Sequence, residues 1–197
     1  MTAPYECEVR ISPADIGAVH RRIAAVGGTS RLCYAFTDHY YRPASPSWDP
    51  RERALRIREH HEPHAPAEIL LTRVTLMQTN GFSFKRSHFA EGKLCLYAGA
   101  LDACREIVET LGFESWLSVR KRDGTLFEIP GQGELVTEHV EGLGWMVEFE
   151  EAGADAAAAA AAIRRMLALL ELDERAAVPE PVAALVAARR PEDRHGR

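Results

Sequence analysis

The chain has 197 residues, 46% hydrophobic and 27% charged, with a formal net charge of -5 at pH 7. That length suffices for one well-buried core without disulfides or structural metal, and the composition excludes a disordered, collagen-like or membrane-embedded chain. The acidic balance argues against a nucleic-acid partner, because proteins that coat nucleic acid are ordinarily basic.

Residues 5–11 alternate, with Tyr5, Cys7, Val9 and Ile11 on one side and Glu6, Glu8 and Arg10 on the other, which predicts a strand. Ser12-Pro13 reads as a helix start, Ile16, Val19, Ile23 and Val26 as its buried stripe, and Gly27-Gly28 as its stop. A strand is predicted over 32–41, then a loop broken by Pro43, Pro46 and Pro50. Residues 53–59 alternate again, and 60–68 read as loop. Strands 69–77 and 82–88 flank Asn80-Gly81, a hairpin signal. Helix 100–111 ends at Gly112. Strands 116–122 and 125–129 flank Asp123-Gly124, and strands 135–140 and 145–150 flank Glu141 to Gly144, giving two more hairpins. Helix 155–171 and a short helix ending near Arg190 complete the chain before a tail at 191–197. Hairpins imply antiparallel pairing, so the expected class is α+β with an antiparallel sheet or barrel.

The four cysteines form no C-x-x-C pair and no secretory leader is visible, so free thiols and a cytoplasmic location are expected. No apolar run approaches the ~20 residues of a membrane span, so no membrane partner is expected.

The charges fall in an unusual way. Glu6 and Glu8 share a strand face, as do Glu148 and Glu150, with Glu138 on the adjoining strand. Arg56 and Arg58 share a face, as do Arg120 and Arg122, while Arg73 and Arg86 stand singly. Each strand alone could be the solvent side of a half-buried sheet. Solvated faces usually mix signs, however, since like charges opposed across strands are destabilising. Paired carboxylates suit hard divalent cations, and arginine forks suit phosphates, so polyphosphate with Mg2+ or Mn2+ would satisfy both sets.

These segments resemble the CYTH family, the triphosphate tunnel metalloenzymes. Glu6-Cys7-Glu8-Val9-Arg10 is similar to the family's E-x-E-x-K opening, and Asp38-His39-Tyr40-Tyr41 to its D-x-Y-Y segment. Ala54-Leu55-Arg56-Ile57-Arg58 resembles A-L-R-x-R, and Leu71-Thr72-Arg73 resembles L-T-x-K. Leu111-Gly112-Phe113 through Arg120-Lys121-Arg122 resembles L-G-F…K-x-R. Glu138 through Gly144, with Glu148-Phe149-Glu150, resembles the D-x-V-x-G-L-G…E-x-E ending.

The resemblance implies an eight-stranded antiparallel β-barrel tunnel with helices packed outside, over residues 1–175, and a C-terminal helix and tail over 176–197. It implies metal ligands at Glu6, Glu8, Glu138, Glu148 and Glu150 for Mg2+ or Mn2+. It implies a phosphate path of Arg10, Arg56, Arg58, Arg73, Arg86, Arg120 and Arg122, with Glu6, Glu8 and Arg10 in catalytic roles. The expected activity is metal-dependent hydrolysis of a triphosphate compound (inorganic, thiamine or nucleoside). The alternatives are adenylyl cyclase action on ATP and triphosphate binding without rapid turnover. Arg10 stands where the family has lysine, and an arginine stays protonated, so it cannot act as a general base. A homodimer is allowed, the oligomeric state being left open.

Other features read more plainly. Glu59 through His64 is expected to be a solvated turn before it is a metal cluster. His88 is expected near the basic lining, either touching phosphate or holding structure. Trp48, Trp116 and Trp145 are expected to pack, Tyr40 to pack or touch a ligand, and Gly131-Gln132-Gly133 to turn.

Overall fold

The computed structural model describes residues 5–45, 47–79, 81–89, 92–153, 155–178 and 180–189. In chain order the elements are β1 (Tyr5–Ile11), α1 (Ile16–Ala25), β2 (Thr29–Pro43), β3 (Arg53–Glu62), β4 (Ala67–Thr79), β5 (Phe82–Ser87), β6 (Leu94–Gly99) and α2 (Leu101–Thr110). Then follow β7 (Phe113–Ile129), β8 (Gly133–Val140), β9 (Gly144–Gly153), α3 (Ala156–Leu169), a 3-10 turn (Glu174–Ala176), β10 (Ala177–Val178) and α4 (Val182–Arg189). The class is α+β, with a large antiparallel sheet and four helices among the described residues.

All strands join one sheet in the order β10-β1-β5-β4-β3-β2-β7-β8-β9, with β6 added on β4. β9 also pairs with β1, from Tyr5 opposite Gly153 to Ile11 opposite Val147. The expectation of eight strands is corrected to ten among the described residues. The additions are β6, whose Leu94 to Ala98 shows no polar alternation to reveal it, and β10, which covers the end of β1.

Alternation decides what each strand shows to either side. Val9 and Ile11 of β1, Val147 and Phe149 of β9 and Leu135 of β8 pack on Val19 and Ile23 of α1 and on Ala160, Ile163 and Leu167 of α3. Leu55 and Ile57 of β3 and Ile69 of β4 pack on Cys104 and Val108 of α2. The alternate residues of β1, β3 and β9 therefore face away from these helices. α4 departs from the expected outside packing. Its Val182 and Ala183 bury against Leu117, Val119, Val140 and Met146, and both residues line the cavity described below.

Several boundaries differ from expectation. α1 begins after Asp15 instead of Ser12. β3 runs through His60, His61 and Glu62, so the expected turn there is strand. Asn80 lies outside the described residues, though β4 and β5 pair across it as expected. The tail at 191–197 also lies outside them. Gly131-Gln132-Gly133 turns β7 into β8 as expected, with positive φ at both glycines. Among the described residues no helix is long and apolar enough to cross a membrane.

Asp123-Gly124 makes no hairpin. β7 continues through it as an irregularity, with Asp123 at φ 53, because the long β2 supplies partners on both sides. A Cβ on Gly124 would lie 2.3 Å from the Tyr34 ring. That ring is held by a hydroxyl bond to Glu138 and cannot swing aside freely. Gly124→Ala is therefore expected to cost about 1–3 kcal/mol by overpacking, read as a lower urea midpoint.

Candidate functional site

The residues turned away from α1, α2 and α3 meet in a cavity of about 600 Å³. β1 contributes Glu8 and Arg10, and β9 contributes Glu148 and Glu150. These face one another in register, Glu8 opposite Glu150 and Arg10 opposite Glu148. β8 adds Glu138, β7 adds Lys121, β2 adds Tyr34, Phe36, Asp38 and Tyr40, and β3 adds Arg56 and Arg58. The placement follows from the two-residue period: Val9 and Ile57 are committed to the outer cores, so their charged neighbours turn inward.

The cavity has an acidic and a basic side. On the acidic side, Arg10 donates from Nε to Glu148 Oε2 at 2.8 Å and also pairs with Glu8. Next to it Glu138, 1% exposed, accepts the Tyr34 hydroxyl at 2.7 Å and pairs with Lys121 Nζ at 2.6 Å. Burial works against the Lys121 charge, but Glu138 and Glu148 together outweigh it and hold its pKa above the ordinary lysine value. Burial and the Glu138 carboxylate also push the Tyr34 phenol up, so it stays a donor.

On the basic side Asp38 is 2% exposed and takes a two-pronged bond from Arg58, at 2.8 Å and 2.9 Å. Arg56 Nε lies 3.3 Å from the same carboxylate and its Nη1 donates to Thr72 Oγ1 at 3.1 Å. Burial would raise the Asp38 pKa, but Arg56, Arg58 and Lys121 win, and it sits below the usual aspartate range. The Arg58 guanidinium lies over the Phe36 ring at 3.7 Å, and Phe36 stacks on Tyr34.

Of the residues expected at the site, Glu8, Arg10, Arg56, Arg58, Glu138, Glu148 and Glu150 line this cavity. Glu6 lies on β1 and Arg86 on β5, with side chains outside the described set. Arg73, Arg120 and Arg122 are exposed and are not part of the lining. Arg122 instead donates to His139. Lys121, Asp38, Tyr34 and Lys93 were not expected there. For Lys121 a signal existed, since Leu117, Val119 and Lys121 alternate on the buried face of β7.

His88 is exposed, bonds Thr75 and does not belong to the lining. Tyr40 lines the cavity. Trp48, Trp116 and Trp145 make edge contacts with Phe113, Tyr40 and His139, as expected for packing. His60 pairs with Glu68, and His61 bonds Thr37. Among the described residues no group of three His, Cys, Asp or Glu side chains is already gathered around a metal position, and Cys33, Cys95 and Cys104 are free.

No protein-family model and no curated protein matches the chain. Solved structures do. A conserved hypothetical protein from Pyrococcus furiosus aligns over 91% of this chain and 99% of its own, at a TM-score of 0.72 and 18% identity. A putative adenylate cyclase from Vibrio parahaemolyticus aligns over 94% and 99%, at 0.71 and 15% identity. HpAC1 from Hippeastrum, a putative adenylyl cyclase described as having a dominant triphosphatase activity, aligns over 94% and 95%, at 0.64 and 11% identity. The likeness is one of fold, and it agrees with the resemblance read from the motifs.

Proposed function

We propose that this protein binds a triphosphate compound with divalent cations in the cavity and hydrolyses it. The observation that carries this reading is the charge pattern of the described lining. Seven cations (Arg10, Arg51, Arg53, Arg56, Arg58, Lys93, Lys121) and seven carboxylates (Glu8, Asp38, Glu52, Glu62, Glu138, Glu148, Glu150) line the cavity, with Glu8, Glu148 and Glu150 on β1 and β9 and the Arg56–Arg58 pair on β3. A lone polyanion gains little from a neutral lining. A polyanion carrying cations on one side matches both groups.

The residues fit a hard cation in donor chemistry. The acidic side offers carboxylate oxygens, and Glu8 directly opposes Glu150 across β1 and β9, a like-charge pairing that a cation would relieve. Glu8, Glu148 and Glu150, with Glu138 beside them and Glu6 on the same strand as Glu8, would hold Mg2+ or Mn2+. Such an ion would neutralise phosphate oxygens and ease P–O cleavage. The tunnel reading of the sheet is supported by β9 pairing back to β1.

The remaining chemistry belongs to the chain's own groups. Arg56 and Arg58 orient the phosphates and spread the charge that develops on the transferred group. Arg10 remains protonated, and Lys121 is held charged by Glu138 and Glu148, so neither removes a proton from water. Glu8 of the acidic side, or Glu6 two residues before it on β1, would orient the water. The water oxygen attacks the terminal phosphorus as the bond to the bridging oxygen breaks, the water's proton passes to that carboxylate or to a phosphate oxygen, and orthophosphate and the shortened phosphate are released.

The test is incubation with Mg2+ or Mn2+ and tripolyphosphate, thiamine triphosphate or ATP. Orthophosphate release that stops on chelation is the expected result. Cyclic AMP with pyrophosphate would replace hydrolysis by cyclisation. Binding without any product would leave a triphosphate-binding module.

A further inference from the structure

Lys93 stands immediately before β6 and lines the cavity. The cations nearest the two charged groups are already engaged: Arg10 with Glu8 and Glu148, Arg56 and Arg58 with Asp38, and Lys121 with Glu138. Among the described residues Lys93 has no hydrogen bond and no ion pair. Arg53 forms no ion pair there either, but it heads β3 opposite the exposed Arg73, whereas Lys93 lies within the electrostatic reach of Arg56 and Arg58. An ammonium on the wall of the same cavity as two guanidinium groups, with no ion pair of its own, is poorly placed for stability and well placed for an anion.

We propose that Lys93 is a substrate-contacting residue, whose ammonium grips a phosphate that Arg56 and Arg58, tied to Asp38, cannot enclose alone. This rests on the triphosphate reading above. Lys93 belongs to none of the segments that resemble the family, so it adds a contact that motif comparison would miss.

A consequence separates this role from a structural one. Lys93 is exposed by surface area, but desolvation against the cavity wall, then the fields of Arg58 and Arg56, lower its pKa below the ordinary lysine value, against opposing pulls from Glu68 and Asp38. His60, which also lines the cavity, is tied to Glu68. An arriving phosphate reverses the local field and favours the ammonium, so binding draws in a proton. Affinity should be full below the lowered pKa of the free protein. It should fall as pH rises through that value, and level off above the pKa of the complex.

Titration calorimetry of the full chain with tripolyphosphate and Mg2+, in two buffers of different ionisation heat, reads both effects. Lys93→Gln is expected to weaken binding about 10- to 100-fold, as for loss of a charge-assisted hydrogen bond, with Lys93→Arg within about threefold of the unaltered protein. The unaltered protein should take up more protons per triphosphate bound than Lys93→Arg does. Unchanged affinity in Lys93→Gln, or proton uptake equal to that of Lys93→Arg at every pH of a scan up through the ordinary lysine value of about 10, overturns the assignment while leaving the triphosphate reading standing. An unaltered protein that ignores tripolyphosphate removes both.

Discussion

Asp38→Ala is expected to lower stability by about 3 kcal/mol, the low end of what removing one partner of a buried ion pair costs. The low end applies because Arg56 and Arg58 keep 14% and 17% side-chain exposure, against 3% for Asp38, so cavity water can partly solvate them. The loss arises because two guanidinium groups would be left side by side without their shared counter-ion. Urea unfolding at neutral pH measures it. Asp38→Asn keeps the shape, removes the charge, and should lose nearly as much. The same carboxylate gives a pH signature. Its folded pKa is depressed by Arg56, Arg58 and Lys121 against the cost of burial, so the unfolded chain binds the proton more readily. Its contribution is full above the ordinary aspartate value of about 4 and is lost as pH falls through the lower folded value. Asp38→Asn should lack that part of the acid slope. An Asp38→Ala protein as stable as the parent would remove the carboxylate's role as the hub of the basic side.

Arg56→Gln is expected to reduce kcat/KM for triphosphate hydrolysis about 10²- to 10³-fold, the usual cost of losing one donor to developing charge. Arg56 is the better probe of the two arginines because it holds Asp38 only by an ion pair at 3.3 Å and bonds Thr72 at 3.1 Å, whereas Arg58 makes two shorter bonds to Asp38, so less structure goes with Arg56. Arg122→Gln is the contrasting substitution. Its side chain is 57% exposed and lies off the cavity, so a change within about twofold is expected. Equal losses in both would mean that general surface charge, and not the cavity, governs turnover.

The acidic side was legible in the sequence because Val9, Ile11, Val147 and Phe149 are unmistakably apolar and fix which side of β1 and β9 faces the helices. The basic side was legible only in part. In β3 the apolar residues Leu55 and Ile57 face α2, so Arg56 and Arg58 turn into the cavity. In β7 the apolar residues Leu117 and Val119 face α4 at the cavity end, so Lys121 shares their side while Arg120 and Arg122 turn out. The same alternation thus carries opposite meanings, depending on which face a helix covers, and that is a tertiary fact. Thr72 and Arg73 were exchanged for a similar reason: β4 offers Thr72, not Arg73, to the lining. Asp123-Gly124 has the composition of a tight turn, yet β2 pairs with Gly124 and Thr125 and pulls the strand straight on. Lys93 and Asp38 escaped because a single charge in a loop, or one acidic residue among aromatics, has no periodicity to mark it.

Asp38 clamps Arg58 with two bonds and reaches Arg56 as well, which fixes both guanidinium planes before any anion arrives. Such a receptor is preorganised: little side-chain entropy remains to be surrendered on association. For the proposed triphosphate the encounter rate should then follow the long-range field and drop with ionic strength, while Asp38, still bonded to Arg58, offsets part of the positive charge that holds the anion. An internal carboxylate of this kind works as a built-in competitor, keeping the grip on a highly charged molecule weak enough for release.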